Sequence, residues 1–458
     1  MAVADLSTPA STAVSPSVGA AGAAAATWYR STLTDAPVYP ELTHELDVDV
    51  AIVGGGHTGV ATALELSERG TSVALLESGR IGDGATGRNG GQVTGSLSGL
   101  SAMRRQLSKR LGQDAADALI QSLRWDAQTL IRERVARYNI SCGLRSGHLH
   151  TAWRPDNVDE LKRDLDDARE AGLEDKVEWL DRTQVHDKLE TPLYHGGALN
   201  HHNVHLNSLG LCVGEAAAAA ELSAQIFESS EVLRIDEAQT GHPAVVHTRA
   251  GCVRADTVIL AGNAYHRLRQ PDFRGRMFPA VLGNLTTAPL ERDTLDAINP
   301  DRLAVYDSRM VLDYYRITED NRLLFGGGTN YSGRDLANVA AKLRPRLERT
   351  FPRLKGVAIE FAWTGLAGIV PNRIPLVGRL KGGLIYAQGY SGHGIATSHL
   401  VARAMADALH GNPERFDNLT ALHHPRLPGG QATLTTAMLL AVGSDHAKSM
   451  IQKLKTGW

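Results

Sequence analysis

The chain has 458 residues, with 48 Lys plus Arg against 50 Asp plus Glu and a formal net charge of −2. Charges of both signs are spread along it, which leaves no basic footprint for nucleic acid, and no apolar run, Ala437 to Val442 included, approaches the ~20 residues of a membrane span. Its length exceeds the ~250–300 residues at which a single core stops growing, so two domains sharing one small-molecule ligand are expected.

In chain order, residues 1–27 are rich in Ala, Ser, Pro, Gly and Thr, and the first 26 lack Lys and Arg. They have neither the basic start of a secretory signal nor the arginines of a transit peptide, and read as a disordered tail. A polar, proline-bearing arm, Trp28 to Leu46, leads into an apolar strand, Val48 to Val53. Gly54-x-Gly56-x-x-Gly59 follows, opening a helix over Thr58 to Arg69, then a second strand ending at Glu77, 21 residues after Gly56. This is a dinucleotide-binding unit: the glycines serve a tight turn, backbone approach to a pyrophosphate and helix-strand packing. Gly55, His57, Thr58 and Ser78 join the motif residues as candidate cofactor contacts. A carboxylate at Glu77 suits ribose hydroxyls and repels a 2′-phosphate, which disfavours NADP. No second complete unit follows for a nicotinamide cofactor, which favours one tightly held FAD.

A glycine- and serine-rich loop, Gly79 to Leu100, comes next, and then helical patterns over Asp114 to Tyr138 and Asp156 to Ala171, the latter stopped by Gly172. An alanine-rich helix, Glu215 to Gln225, precedes strands at Ala224–Phe227, Val232–Ile235, Ala244–Thr248 and Thr257–Leu260. Asp313-Tyr-Tyr-Arg-Ile-Thr and Arg322-Leu-Leu-Phe-Gly flank a turn at Glu319-Asp-Asn, a hairpin. Period-two alternation puts Tyr314 and Arg316 on one face and Tyr315 on the other. The pattern strand, glycine turn, helix returns at Gly383 to Gly389, Tyr390-Ser-Gly-His-Gly394 and Ile395 to Leu409.

Cys142, Cys212 and Cys252 are odd in number and far apart, without a CxxC pair, as expected of reduced, cytoplasmic thiols rather than disulfides or a zinc site. His201, His202 and His205 are the densest histidine group, but no Cys or carboxylate spacing completes a coordination sphere, so no metal is expected. Trp125, Trp153 and Trp179 read as core aromatics by default.

Three glycine-rich elements together, Gly54 to Gly59 with Glu77, Gly84-Ala-Thr-Gly-Arg-Asn-Gly-Gly-Gln92 and Gln388-Gly-Tyr-Ser-Gly-His-Gly394, resemble the D-amino-acid oxidase-like FAD family, which includes glycine and sarcosine oxidases. Within it, Trp28-Tyr29, the GATGRNGGQ run, DYYRITEDNRLLFGGG and GYSGHG are similar to the gamma-glutamylputrescine oxidases. The resemblance implies an α/β fold: a Rossmann-like FAD-binding domain from 28–105, 196–265 and 357–415, interleaved with a substrate domain from 106–195 and 266–356 built on a mixed sheet with helices. Residues 416–458 form a separate C-terminal segment.

In this frame Arg88 and Asn89 offer donors to flavin or phosphate oxygens, while Gly90, Gly91 and Gln92 let backbone approach the cofactor. Gly389, Gly392, His393 and Gly394 bring a helix N-terminus to the reduced flavin's partial negative charge. Catalytic residues remain unassigned, with Tyr314, Arg316 and His393 as candidates. Arg316, or Arg309, either holds a substrate carboxylate in a bidentate pair or faces solvent.

Glycine-oxidase-like members carry a carboxylate-binding arginine after Trp-x-Gly-Leu, where this chain has Ala367 after Leu366. Sarcosine-oxidase-like members place an oxygen-activating lysine where this chain has Leu324, and a flavin-tethering cysteine near Ala362, where there is none. The resemblance therefore implies a linear amine substrate such as gamma-glutamylputrescine, non-covalent FAD, and reoxidation by O2 to H2O2 or by another acceptor. The alternatives are an oxidase or dehydrogenase of an N-methyl or cyclic amino acid, and, from another class, a non-catalytic dinucleotide-binding protein.

Overall fold

The computed structural model describes residues 27–33, 35–239, 242–265, 268 and 273–456; the tail read at residues 1–26 lies outside them. Two sheets organise the chain. The first runs in the order Leu376–Arg379, Ile385–Gln388, Cys252–Leu260, Glu45–Val53, Val73–Leu76, Gln225–Phe227. Its central strands are parallel, and Val73–Leu76 and Val50 to Val53 are buried throughout, as strands covered on both faces must be. Helices His57–Ser67, Ser208–Glu221 and Gly394–Leu409 cover one face, where Ile52, Leu75, Ile259 and Ile385 meet Val60, Leu64, Ala219 and Val401. The other face packs against the antiparallel strands Arg234–Asp236 and Ala244–His247.

The second sheet has the order Ile359–Ile369, Phe278–Thr287, Leu323–Asn330, Tyr314–Ile317, Ala304–Asp307, Arg145–Thr151, Gly196–His205, Gln92–Val93, with Val177–Asp181 also on Gly196–His205. One face carries Leu285, Phe325, Tyr315, Val305, Leu149 and Leu199 under helices Arg292–Ile298 and Val339–Thr350. The opposite face carries Trp363, Tyr314 and Tyr306 into the same core as the helices of the first sheet. The two sheets thus share one interior, and the alternation read in Tyr314-Tyr315-Arg316 is the division between its two sides.

Several boundaries differ from expectation. Gly196–His205 and Ile359–Ile369, assigned from sequence to the FAD domain, belong to the second sheet, and Gln92–Val93 from the glycine loop pairs there as well. The chain crosses between sheets at strand ends, which composition does not mark. The loop Gly79 to Leu100 holds a 3-10 turn, Ala85–Arg88, and leads into an unforeseen helix, Leu100–Leu111. The alanine-rich helix begins at Ser208, capped by the Asn207 side chain, rather than at Glu215. In the arm, Trp28–Ser31 is a helical turn that buries Trp28 and Tyr29. The C-terminal segment is a short helix, Glu414–Thr420, and a long one, Gly430–Thr456, tied back by Thr435 to the Tyr331 carbonyl at 3.0 Å and by Arg154 to Asp445 at 2.5 Å. No helix among the described residues is long and apolar enough to cross a membrane.

Candidate active site

The pyrophosphate turn fits its expected use. Gly54 has φ +113°, and a Cβ there would lie 2.9 Å from the Ala261 backbone; a Cβ on Gly59 would lie 1.9 Å from the Gly54 carbonyl oxygen. At Gly56 a Cβ would meet only the Thr86 hydroxyl, at 3.1 Å, and Gly56 as N-cap has no side chain to turn onto the helix it opens. The residues around this terminus suit a dinucleotide: a glycine N-cap, an open approach at Gly56 and an acid at the second strand's end. Glu77 accepts from Gly55 N at 2.7 Å, from Gly79 N at 2.8 Å and from the Ser78 hydroxyl at 2.9 Å. Burial raises its pKa, opposed by the two backbone donors. Ser78 therefore acts on Glu77, and Glu77 braces the turn it is expected to complete.

Side chains bind the three glycine elements to one another. His57 N donates to Thr86 Oγ1 at 3.1 Å, and Thr58 Oγ1 pairs with the Tyr390 hydroxyl at 2.8 Å. Ser98 Oγ reaches the Ser391 carbonyl at 3.1 Å and His393 Nδ1 at 2.8 Å. His393 stands at the N-cap position of the helix from Gly394 without a side-chain cap bond, and burial, with Arg373 second, lowers its pKa to about 4. Beside it, Gly392 has φ +107°, and a Cβ there would meet nothing within 4 Å. Gly389 also has positive φ, +71°, and its N–H donates to Asn263 Oδ1 at 3.0 Å.

The loop's own side chains largely satisfy the loop. Asn89 Nδ2 donates to the Ala85 and Thr86 carbonyls and to Ser208 Oγ, and its Oδ1 accepts from Gly91 N. Arg88 spends Nε on the Asp83 carbonyl and Nη1 on that of Thr364, both at 3.0 Å. Gln92 donates to the carbonyls of Val305 and Tyr315. The expectation that Arg88 and Asn89 are outward donors is thereby corrected for the groups named: a buried loop without ladder pairing must find donors for its carbonyls, and these are the nearest.

Arg316 overturns its solvent-facing reading. It is 1% exposed, donates from Nε to the Gly90 carbonyl at 3.0 Å, and lies 5.5 Å from the Trp28 ring centroid. It does not face solvent, and its Nη2 is buried without a hydrogen-bond partner among the described residues. Arg309 is likewise committed, to Asp307 and to Asp313, and sits over the Trp153 ring at 4.1 Å. Tyr314 donates to Asn284 Oδ1 at 2.9 Å, and burial pushes its hydroxyl pKa up. Its ring lies against the loop: a Cβ on Gly90 would be 2.7 Å from Tyr314 Cδ2.

Strand register puts Trp363, Asn284, Gly326, Tyr314, Tyr306, His150 and Ala198 in one row across the sheet, on the face toward the glycine elements. The Tyr306 ring meets those of His148 and His150 in tilted contacts, centroids 4.4 Å apart in each pair, and its hydroxyl pairs with Ser96 at 2.5 Å. Burial lowers the His150 pKa to about 3, holds that of His148 well below its ordinary value, and raises that of Tyr306 to about 12. Sequence reading singled out none of these three; the alternating His148-Leu-His150 on a buried strand was the available signal.

The helices beneath hold a second feature missed from sequence. Glu215 is bonded to Arg134 at 2.9 Å and to His399 at 3.1 Å, and Glu65 to Arg134 at 2.6 Å. Burial opposes the ionised Glu215, but His399 and Arg134 win and lower its pKa to about 2. An acid inside an apolar helix face requires such a partner, which was the sequence signal. His57, Glu215 and His399 place ligand atoms within 4.8 Å of one another, yet the Arg134 guanidinium already supplies the cation. His201, His202 and His205 form no such group among the described residues; His202 bonds the Trp125 carbonyl at 2.9 Å, while His205 is buried.

A Rossmann-type turn, two further glycine elements laced to it and a mixed sheet closing over them define a flavin-dependent oxidoreductase. Residues 49–408 match the DAO family, FAD dependent oxidoreductase, and the chain belongs to it. It is 38% identical over 405 residues to the gamma-glutamylputrescine oxidoreductase of Escherichia coli (strain K12), covering 88% of this chain and 93% of that one. It is 26% identical to a glycine oxidase of Geobacillus kaustophilus over 82% of this chain and 96% of that one. The crystal structure of glycine oxidase from Geobacillus kaustophilus superposes with TM-score 0.67 at 24% identity, over 84% of this chain and 100% of that one.

Proposed function

We propose that the chain oxidises the C–N bond of a linear primary amine of the gamma-glutamylputrescine kind to an imine, which water hydrolyses to an aldehyde. The observation that carries this reading is the row Trp363, Asn284, Gly326, Tyr314, Tyr306, His150, Ala198, which presents no Lys or Arg to a carboxylate on the reacting carbon, as a simple α-amino acid would need. Ala367 lies where glycine-oxidase-like members carry such an arginine, and the Nε of Arg316 is bonded to the Gly90 carbonyl. The 38% identity to a gamma-glutamylputrescine oxidoreductase supports the same substrate class.

FAD, held non-covalently by the turn at Gly54 to Gly59, Glu77 and the two further glycine elements, supplies the hydride acceptor and passes the electrons on. The chain's part is to position and desolvate. An alkylamine has pKa near ~10 in water, and a site walled by neutral His148, His150 and Tyr306 disfavours its ammonium form, lowering that pKa toward the neutral amine that can give up hydride. The amides at the N-terminus of Gly394–Leu409 favour the negative charge that develops on the cofactor. O2 is the proposed acceptor.

The test is product analysis. Incubation with gamma-glutamylputrescine in air should yield a trappable aldehyde and an equivalent of peroxide. Aldehyde with an added dye but no peroxide would keep the amine and remove O2; no aldehyde under either condition would remove the amine.

A further inference from the structure

Helix Ser208–Glu221 reaches two of the glycine elements from one face. At its start, Ser208 Oγ accepts from Asn89 Nδ2 of the glycine loop at 2.9 Å and donates to the Thr86 carbonyl at 2.8 Å. His57 Nε2 lies 2.8 Å from the same oxygen. The hydroxyl's single proton goes to the carbonyl, which can only accept, so His57 is the donor. It is the neutral Nε2–H tautomer, in keeping with a pKa that burial lowers to about 3. Glu215 stands about two turns further along the same face, fully buried.

The same counting of protons gives His399 a different state. Its ring is fully buried, with Nδ1 2.6 Å from the Ile395 carbonyl and Nε2 3.1 Å from each Glu215 oxygen. A carbonyl only accepts, so Nδ1 carries a proton. Arg134 Nη1 donates to Glu215 Oε1 at 2.9 Å, which keeps that carboxyl ionised despite its burial. An ionised carboxylate also only accepts, so Nε2 carries a proton too. A neutral imidazole has one N–H and cannot serve both partners.

The other groups around the ring leave it this charge. His57, 5.4 Å away between ring centroids, is neutral. Arg134 divides its guanidinium between Glu215 at 2.9 Å and Glu65 at 2.6 Å, and Arg403, on the helix of His399, is bonded to Glu65 at 3.0 Å. Glu215 therefore holds two cations, one from helix Gln113–Arg137 and one from helix Gly394–Leu409.

We infer that His399 is a buried imidazolium, and that His399 and Glu215 are a positioning pair for FAD. The pair latches the helix that follows the last glycine element onto the helix whose Ser208 holds the glycine loop. Removing either partner strands the other's charge where water does not reach, and the two elements lose their common anchor. Neutral bonds nearer the cofactor, Thr58 to Tyr390 and Ser98 to His393, then carry the spacing alone.

The test has two readouts on the FAD-loaded protein. The first is nitrogen NMR of the parent, isotope-labelled on histidine, at about pH 7. One imidazolium is expected with both N–H protons slow to exchange into D2O, since burial holds His57, His148, His150, His205, His393 and His424 neutral. The second is the growth of free-FAD fluorescence after dilution. H399Q and E215Q should each release FAD about tenfold faster or more, and the double variant, in which Arg134 keeps Glu65, no faster than the worse single one. Where these variants hold no FAD, the imidazolium signal decides. Absence of a slowly exchanging imidazolium, parent-like FAD release in H399Q, or single effects that add in the double variant overturn the inference.

Discussion

Arg316 and Gly90, 226 residues apart in sequence, are joined by a 3.0 Å hydrogen bond from the guanidinium Nε to the carbonyl oxygen. The bond fixes the glycine loop to the second sheet from below, with Trp28 covering the cation. Removing a buried charge-assisted donor costs about 1.5–3 kcal/mol. R316M should therefore melt several degrees lower and release FAD more readily on dilution, while KM of the fraction still holding FAD stays near the parent value. A large KM increase with full FAD retention would assign Arg316 to substrate after all.

Gly59 and Gly70 form a matched pair of alanine substitutions. A Cβ at Gly59 would sit 1.9 Å from the Gly54 carbonyl oxygen, whereas at Gly70, φ +79°, it would meet nothing within 4 Å. G59A must push the helix off the strand and is expected to purify colourless or not at all. G70A should keep its flavin and lose only about 1–2 kcal/mol for the left-handed backbone. Absorbance of the purified proteins near ~450 nm, where bound flavin absorbs and which reports the pyrophosphate turn, separates the two outcomes.

Acid stability should be set first by histidines. Burial lowers His57, His150 and His205 to about 3 and His393 and His424 to about 4. Below the unfolded value of ~6.5 the unfolded chain binds protons that the folded chain refuses, so stability falls as pH drops from that point, by up to ~1.4 kcal/mol per unit for each site. Glu215 acts lower: with its pKa held near 2, its contribution is present above the unfolded carboxylate value of ~4.5 and is lost as pH falls toward 2. Melting temperatures should decline already between pH 6.5 and 5. A flat profile down to pH 4.5 would contradict the neutral buried imidazoles.

FAD should leave the protein intact on denaturation. Cys142 and Cys212 are buried away from solvent, Cys252 begins a strand of the first sheet, and strand Ile359–Ile369 carries no cysteine. Acid precipitation is expected to put all yellow colour in the supernatant; a yellow pellet would show a covalent bond.

The parts legible in sequence were those whose residues carry their own geometry. The turn at Gly54 to Gly59, the hairpin around Glu319 and the element at Gly389 to Gly394 depend on local spacing and turn chemistry. Strand exchange between the sheets was not legible, because Gly196–His205 and Ile359–Ile369 are strands of either sheet by local pattern, and only tertiary pairing assigns them. For the same reason Arg316 was left between substrate and solvent: alternation gives its face, but the carbonyl it meets comes from residue 90. Tyr306 and His150 become neighbours only through the parallel pairing of two strands more than 140 residues apart.

The central claim, a flavin site shaped for a linear amine, is tested most directly by anaerobic mixing of the FAD-loaded protein with gamma-glutamylputrescine, followed at the flavin band near ~450 nm. The expected result is full bleaching in a single turnover, faster as pH rises from neutral toward the amine pKa of ~10, since only the neutral amine gives up hydride. A flavin that stays oxidised with gamma-glutamylputrescine and putrescine but is bleached by sarcosine or pipecolate would contradict it.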